Sequence, residues 1–185
     1  ELHTVLLSAM KDIDKICQEN GLKYYLYAGT LLGALNYKGF IPWDDDIDIV
    51  MMPEDFYRFC KIIDSKYQEI YELRTFDRDL NWYSKMNKLL IKGTEIISQY
   101  QEDKHPFFVD ICVLHSIPEQ KWRRFIQRKE IEVINLILQT QAGEIIPTSL
   151  ISKLVLGNLC KIKREVWGNR LEQIMIRYDK KRTEY

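Results

Sequence analysis

Gly39-Phe40-Ile41-Pro42-Trp43-Asp44-Asp45-Asp46-Ile47-Asp48-Ile49-Val50 carries the chain from a glycine-hinged loop into a short strand and places four aspartates within five positions. Carboxylates this close repel one another, and an uncompensated buried charge is costly, so a bound cation is the simplest way to hold them together. Strand alternation turns Ile47, Ile49 and Met51 toward a core and leaves Asp46 and Asp48 together on the opposite face. Two carboxylates side by side on a rigid element form a hard-oxygen site suited to Mg²⁺ or Mn²⁺. A merely solvated acidic turn fits poorly, because the cluster runs straight into β-branched and apolar sequence. A calcium loop also fails. Asp44, Asp46 and Asp48 reproduce its opening spacing, but its turn glycine would fall at Ile49 and its bidentate glutamate at Asp55.

The surrounding 185 residues are 46% hydrophobic, enough for one well-buried domain and a small appended one. Lys+Arg 27 balances Asp+Glu 27, which removes the basic footprint of a protein that lives on nucleic acid. Cys17, Cys60, Cys112 and Cys160 are widely spaced among apolar neighbours and form no C-x-x-C pair. They read as reduced core residues of a cytoplasmic protein. No run is long enough to span a membrane and no signal peptide is visible.

Leu2, Val5, Leu6, Ala9, Ile13, Ile16 and Cys17 recur at helical steps, and Asn20-Gly21 ends that helix. Tyr24 to Ala28 reads as a buried strand leading into a Gly29-Thr30 turn and a short helix over Leu31 to Leu35. The first backbone N–H groups of that helix make an anion-binding corner. A phosphate-binding turn on one strand and a metal-binding pair on the next are the minimum apparatus for phosphoryl transfer. Pro53-Glu54-Asp55 opens a scaffold helix with Phe56, Phe59, Cys60 and Ile63 on its apolar face. Tyr71 to Thr75 reads as a strand, Asp77 to Asn81 as a loop, and Tyr83 to Ile91 and Glu95 to Tyr100 as β-like segments around Gly93. Lys85 and Lys88 lie on the first of these, and either could reach a phosphate.

Pro106 to Leu114 is the most strand-like run in the chain. Phe107, Val109, Ile111 and Val113 fill one face, and Asp110 sits with Phe108 and Cys112 on the other. An aspartate in so apolar a strand needs a metal or an ionic partner, and it is the natural third ligand beside Asp46 and Asp48. Beyond Pro118 the composition turns helical, with stretches from Trp122 to Leu138, Ser149 to Leu159 and Val166 to Tyr178. We divide the chain into a catalytic core over 1–118 and a helical region over 119–185, part of the same domain. The basic residues of the second part read as a solvated helical face. Contact with an anionic acceptor or, peripherally, with the inner face of a membrane is the alternative.

Tyr27-Ala28-Gly29-Thr30-Leu31-Leu32-Gly33-Ala34-Leu35, followed by Lys38-Gly39-Phe40-Ile41-Pro42-Trp43-Asp44-Asp45-Asp46-Ile47-Asp48-Ile49, closely resembles the signature of the LicD family of phosphocholine transferases. The fukutin-related proteins belong to the same wider group. Phe108-Val109-Asp110-Ile111 is similar to the family's second acidic strand, and Lys85-Met86 to its Lys-Ile position. The resemblance covers roughly residues 1–118. It implies an α+β fold with a polymerase-β-like nucleotidyltransferase core, a small mixed sheet with flanking helices, followed here by the helical C-terminal region. It also implies a reaction: a phospho-alcohol, most often phosphocholine, moves from a CDP-activated donor to a hydroxyl of a teichoic acid, lipopolysaccharide or capsule-type glycan, and CMP leaves.

In that scheme Asp46 and Asp48 hold Mg²⁺ or Mn²⁺, and Asp110 completes a second metal site or accepts the hydroxyl proton. Gly29 and Thr30 cradle the diphosphate, Lys38 and Lys85 offer further phosphate contacts, and Trp43 with Tyr37 could face a choline ammonium. Asn36-Tyr37 stands where relatives commonly have Arg-His, and Asn87 stands where an arginine often follows Lys85. Asparagine lacks the bidentate charged fork of arginine. The chain also stops at Tyr185, before a C-terminal segment that family members generally carry. A nucleotidyltransferase using an NTP, or a non-catalytic nucleotide- or metal-binding protein, are the competing readings.

Overall fold

The computed structural model describes residues 2–75, 78, 86–96 and 106–179. These divide into two compact units, one running from the N-terminal stretch through Thr75 together with 86–114, the other holding the residues from His115 onward.

In the first unit the apolar stripe read at helical steps forms α1, Leu2–Asn20, and its buried side chains are Leu6, Ala9, Ile13, Ile16 and Cys17. Gly21, with φ 61°, then reverses the chain in a conformation that an L side chain adopts at a cost. Among the described residues five strands follow: β1 (Tyr24–Leu26), β2 (Asp48–Met51), β3 (Tyr71–Arg74), β4 (Asn87–Ile91) and β5 (Phe108–Val113). Their spatial order is β1-β2-β5-β4-β3, with β2 and β5 parallel and the other neighbours antiparallel. This is the expected α+β architecture with a small mixed sheet. Between β1 and β2 lies α2 (Ala28–Asn36). After β2 comes α3 (Pro53–Ile62), which continues into a π-helical turn, Ile63–Tyr67.

Strand parity sorts the sheet into two faces. Ile49 and Met51 of β2, Val109 and Ile111 of β5, and Leu89 and Ile91 of β4 join α1 and the buried face of α3, Phe56, Phe59 and Cys60, in one core. Asp48, Asp110 and Lys88 therefore project from the other face.

Two expectations change. Tyr24 to Ala28 is not a buried five-residue strand. Its strand is Tyr24–Leu26 at the sheet edge, where Tyr25 and Tyr27 stay exposed, and Ala28 already belongs to α2. Gly29 and Thr30 thus lie within the first turn of that helix and not in a turn ahead of it. The expected loop over Asp77 to Asn81 and the β-like residues 83–85 and 97–100 lie outside the described residues, save Arg78, which sits in a turn.

The second unit contains α4 (Lys121–Gln141), α5 (Leu150–Leu159) and α6 (Arg164–Met175), followed by a 3₁₀ turn, Ile176–Tyr178. Ile134 and Leu138 of α4 pack with Ile174 of α6, supported by Ile131, Trp167 and Leu171. Gln127 is buried because its side-chain amide donates to the Ile174 carbonyl at 2.9 Å. Ser149 caps α5 by accepting from the Ser152 N–H at 3.1 Å, and Trp167 Nε1 donates to the Leu159 carbonyl at 3.1 Å. The Asp179 carboxylate accepts from the Ser116 N–H at 2.9 Å and meets His115 Nδ1 at 2.7 Å. Much of the apolar sequence of this unit faces outward: Trp122, Phe125 and Ile126 on α4, and Ile151, Leu154 and Val155 on α5, are exposed. Among the described residues no helix is long and apolar enough to cross a membrane. None of the four cysteines is in a disulfide, and burial pushes the thiol of Cys17 up to about 12.

Candidate active site

Register builds the site. Asp48 of β2 is the direct neighbour of Asp110 on β5, and Asp110 is the direct neighbour of Lys88 on β4, so three charged residues form one row across three adjacent strands. Asp46, two residues before Asp48, joins them. A carboxylate oxygen from each of Asp46, Asp48 and Asp110 lies within 4.8 Å of the others. The structure therefore brings together the three aspartates that strand parity singled out. Asp44, Asp45 and Asp46 form a second such group on the loop side, sharing Asp46 with the first.

The acidic loop is held from several directions. The His3 ring stacks on Phe40 with centroids 4.4 Å apart, and His3 Nε2 sits 2.6 Å from the Asp44 carbonyl oxygen. After α2 the chain turns back sharply through Lys38, at φ 57°, and the N–H groups of Tyr37 and Gly39 both donate to the Gly33 carbonyl. A β-carbon on Gly33 would fall 2.6 Å from the Gly39 carbonyl oxygen, so only glycine admits this return. The Thr30 hydroxyl accepts the Asp48 N–H at 2.8 Å, and the Asp48 carbonyl accepts from Tyr27 at 3.0 Å. Thr30 thus ties the start of α2 to the first residue of β2. Gly29 lies against the acidic loop as well: a β-carbon there would fall 2.8 Å from Asp44 Oδ2.

Electrostatics reflect the crowding. Asp48 is pushed up to about 6, first by burial and then by Asp46, Asp110 and Asp44. Burial, followed by Asp44, Asp45 and Asp110, raises Asp46. Asp110 is raised by burial, and Lys88 works in the opposite direction. The Lys88 ammonium stands 3.2 Å from Asp110 Oδ1 and 3.1 Å from the centroid of the Phe108 ring. It also lowers Asp46 and Asp48, so one cation acts on all three carboxylates.

The remaining expected residues that are described fall into two groups. Gly29 and Thr30 adjoin the carboxylates through the contacts above. Lys38 and Trp43 sit exposed on the loop, where Trp43 meets Tyr37 edge-on with centroids 6.2 Å apart. Lys85 lies outside the described residues. Asn87 donates to the Ile111 carbonyl at 3.2 Å, a strand-to-strand tie. Sequence reasoning weighed Lys88 equally with Lys85 and did not select it. The signal that separates them is pairwise register, since only position 88 stands opposite Asp110.

Do these residues suit a divalent cation? Octahedral Mg²⁺ with bonds of about 2.1 Å sets ligand oxygens about 3 to 4 Å apart. Three carboxylate oxygens within 4.8 Å, all on groups whose negative form is disfavoured by burial, fit such an ion in spacing and in charge. The donor set is all oxygen, which favours Mg²⁺ or Mn²⁺ over softer metals.

Residues 21–177 match the family described as LicD/FKTN/FKRP, nucleotidyltransferase domain. The chain belongs to this family. Over its whole length it is 28% identical to the lipopolysaccharide cholinephosphotransferase LicD of Haemophilus influenzae, across 192 aligned residues that cover 71% of that protein. An uncharacterised Rickettsia typhi protein is 41% identical over 69 residues, which cover 37% of this chain and 22% of that protein. A Rickettsia prowazekii protein, also uncharacterised, is 36% identical over 76 residues, covering 41% of this chain and 28% of its own length. The LicD match extends through the helical second unit, beyond the stretch over which the signature motifs alone carry the resemblance.

Proposed function

We propose that this member of the LicD family is a metal-dependent phosphotransferase that moves phosphocholine, or a related phospho-alcohol, from a CDP-activated donor to a hydroxyl of a cell-surface glycan and releases CMP. The convergence of Asp46, Asp48 and Asp110 beside the first turn of α2 carries this reading. The name of the Haemophilus influenzae relative supports phosphocholine as the group and lipopolysaccharide as the kind of acceptor.

Asp46, Asp48 and Asp110 would hold Mg²⁺ or Mn²⁺. Bound there, the ion would neutralise charge that accumulates on the departing CMP. The acceptor hydroxyl oxygen bonds to the phosphorus that bears the choline, the anhydride P–O bond breaks, and CMP takes the electron pair. The hydroxyl proton leaves to bulk water as that bond forms. Gly29 and Thr30 present backbone N–H groups of the first turn of α2 to the diphosphate. Lys38 adds a positive charge at the turn, and the exposed Tyr37–Trp43 pair offers aromatic faces to a quaternary ammonium. The exposed apolar side chains of α5, with Lys153 within it and Lys161 and Lys163 just after it, suit peripheral contact with a membrane that carries a lipid-linked acceptor.

The test is to incubate the protein with Mg²⁺, a panel of CDP-alcohols and glycan acceptors, and to measure CMP. Turnover of CDP-choline with transfer to the glycan is the expected result. Release of pyrophosphate from an NTP, with the nucleotide left on the acceptor, would replace this reading with nucleotidyl transfer. No turnover of any donor together with no Mn²⁺ binding would leave a non-catalytic protein.

A further inference from the structure

Lys88 adjoins the triad, and the transfer scheme leaves it without a role. Its side chain is 17% exposed, that of Asp110 13%, and Asp110 Oδ1, buried and without a hydrogen bond among the described residues, faces the ammonium as an ion pair at 3.2 Å. A lysine so far withdrawn from water, and set on the ring of Phe108, loses much of its hydration and is retained only where negative charge compensates it. Asp110 supplies such charge at 3.2 Å, and the ammonium acts on Asp46 and Asp48 as well. Register fixes this arrangement, because Lys88, Asp110 and Asp48 are consecutive neighbours across β4, β5 and β2.

We propose that Lys88 is the triad's built-in second cation: it claims the buried oxygen of Asp110 and so restricts Asp46, Asp48 and Asp110 to a single divalent ion. Transferases of phosphoryl groups that use two ions place them about 3.5 to 4 Å apart, sharing carboxylates between them. Here an ammonium already stands 3.2 Å from Asp110 Oδ1. Like charges at that separation exclude one another, and the ammonium cannot leave without breaking a half-buried ion pair. Lys88 is therefore a positioning residue. It fixes the Asp110 carboxylate and supplies, without exchange, part of the positive charge that a second metal would bring. This inference rests on the metal-dependent reading above, and it adds the number of ions and the residue that sets it.

Mn²⁺ binding without any donor, followed by electron paramagnetic resonance and calorimetry, tests it in the full chain. Wild type should bind one Mn²⁺ at the triad, counted as the site lost in Asp48→Asn. Lys88→Met, which keeps the apolar stem and removes the charge, should gain a second ion or bind the first about tenfold more tightly. Lys88→Arg should behave as wild type. A lysine that merely pins the strands would lower the melting temperature of Lys88→Met and leave Mn²⁺ number and affinity unchanged, which would overturn the proposal. Two ions lost together in Asp48→Asn would overturn it too, and this measurement stands even if Lys88→Met does not fold. Wild type that binds one Mn²⁺ but turns over no CDP-alcohol would refute the transfer reaction and keep the single-ion site. Turnover with two triad-bound ions would do the reverse.

Discussion

At the scale of single residues, the four aspartates of the opening loop are not equivalent. Asp46 and Asp48 reach the triad, while Asp44 adjoins Gly29 and is anchored through its carbonyl oxygen by His3. Asp46→Asn should fold normally and lose at least about a thousandfold in CMP release, because it removes an oxygen donor and no packing group. Asp110→Asn should lose activity as completely but also melt lower, since it breaks the buried Lys88–Asp110 ion pair. Metal affinity should depend on pH through the same groups. Asp48 titrates near 6, and protonation removes a ligand, so Mn²⁺ affinity should fall as pH drops from about 7 to 5. A binding isotherm that is flat across this range would contradict the assignment.

At the scale of elements, Thr30 joins helix to strand by accepting the Asp48 N–H, and that bond sets where the first triad residue sits. Thr30→Val keeps the shape and removes the acceptor. It should cost about 1 to 3 kcal/mol, read as a lower denaturation midpoint, and weaken Mn²⁺ binding, whereas Thr30→Ser should retain both. Most elements could be read from the sequence because two simple signals agree: helical periodicity in α1 and α3, and alternation in β2 and β5, where core residues and carboxylates fall on opposite faces. The triad was legible for the same reason. Three features were not. The edge position of β1 depends on which strand pairs with it, the stacking of His3 on Phe40 joins residues far apart in sequence, and the facing of Lys88 with Asp110 depends on register. Local pattern carries none of these, since pairing partners are chosen by the whole sheet.

At the scale of the whole molecule, the chain has zero formal net charge but concentrates like charges at one place. Among the described residues the sheet unit carries Asp44, Asp45, Asp46, Asp48 and Asp110, with Lys88 acting on the triad. Without metal this concentration opposes folding. A carboxyl whose folded pKa is about 6 holds more protons in the folded than in the unfolded chain between pH 4 and 6, so its contribution to stability falls as pH rises through that window. Above it the full penalty is present, on the order of 1 kcal/mol for Asp48 after solvent screening. Metal-free Asp48→Asn should therefore melt higher than metal-free wild type at pH 7.5, and the difference should vanish toward pH 4. Mn²⁺ should invert the order. At a hundredfold excess over its dissociation constant it would add about 2.7 kcal/mol to wild type and raise the melting temperature by about 5 to 10 °C. Asp48→Asn should respond little. Residues that stabilise a fold by their own contacts lose stability when removed, and only those retained for a ligand show this reversal, so paired thermal scans with and without Mn²⁺ distinguish a binding site from a scaffold. A metal-free Asp48→Asn protein that melts below wild type at pH 7.5 would place Asp48 among the scaffold residues.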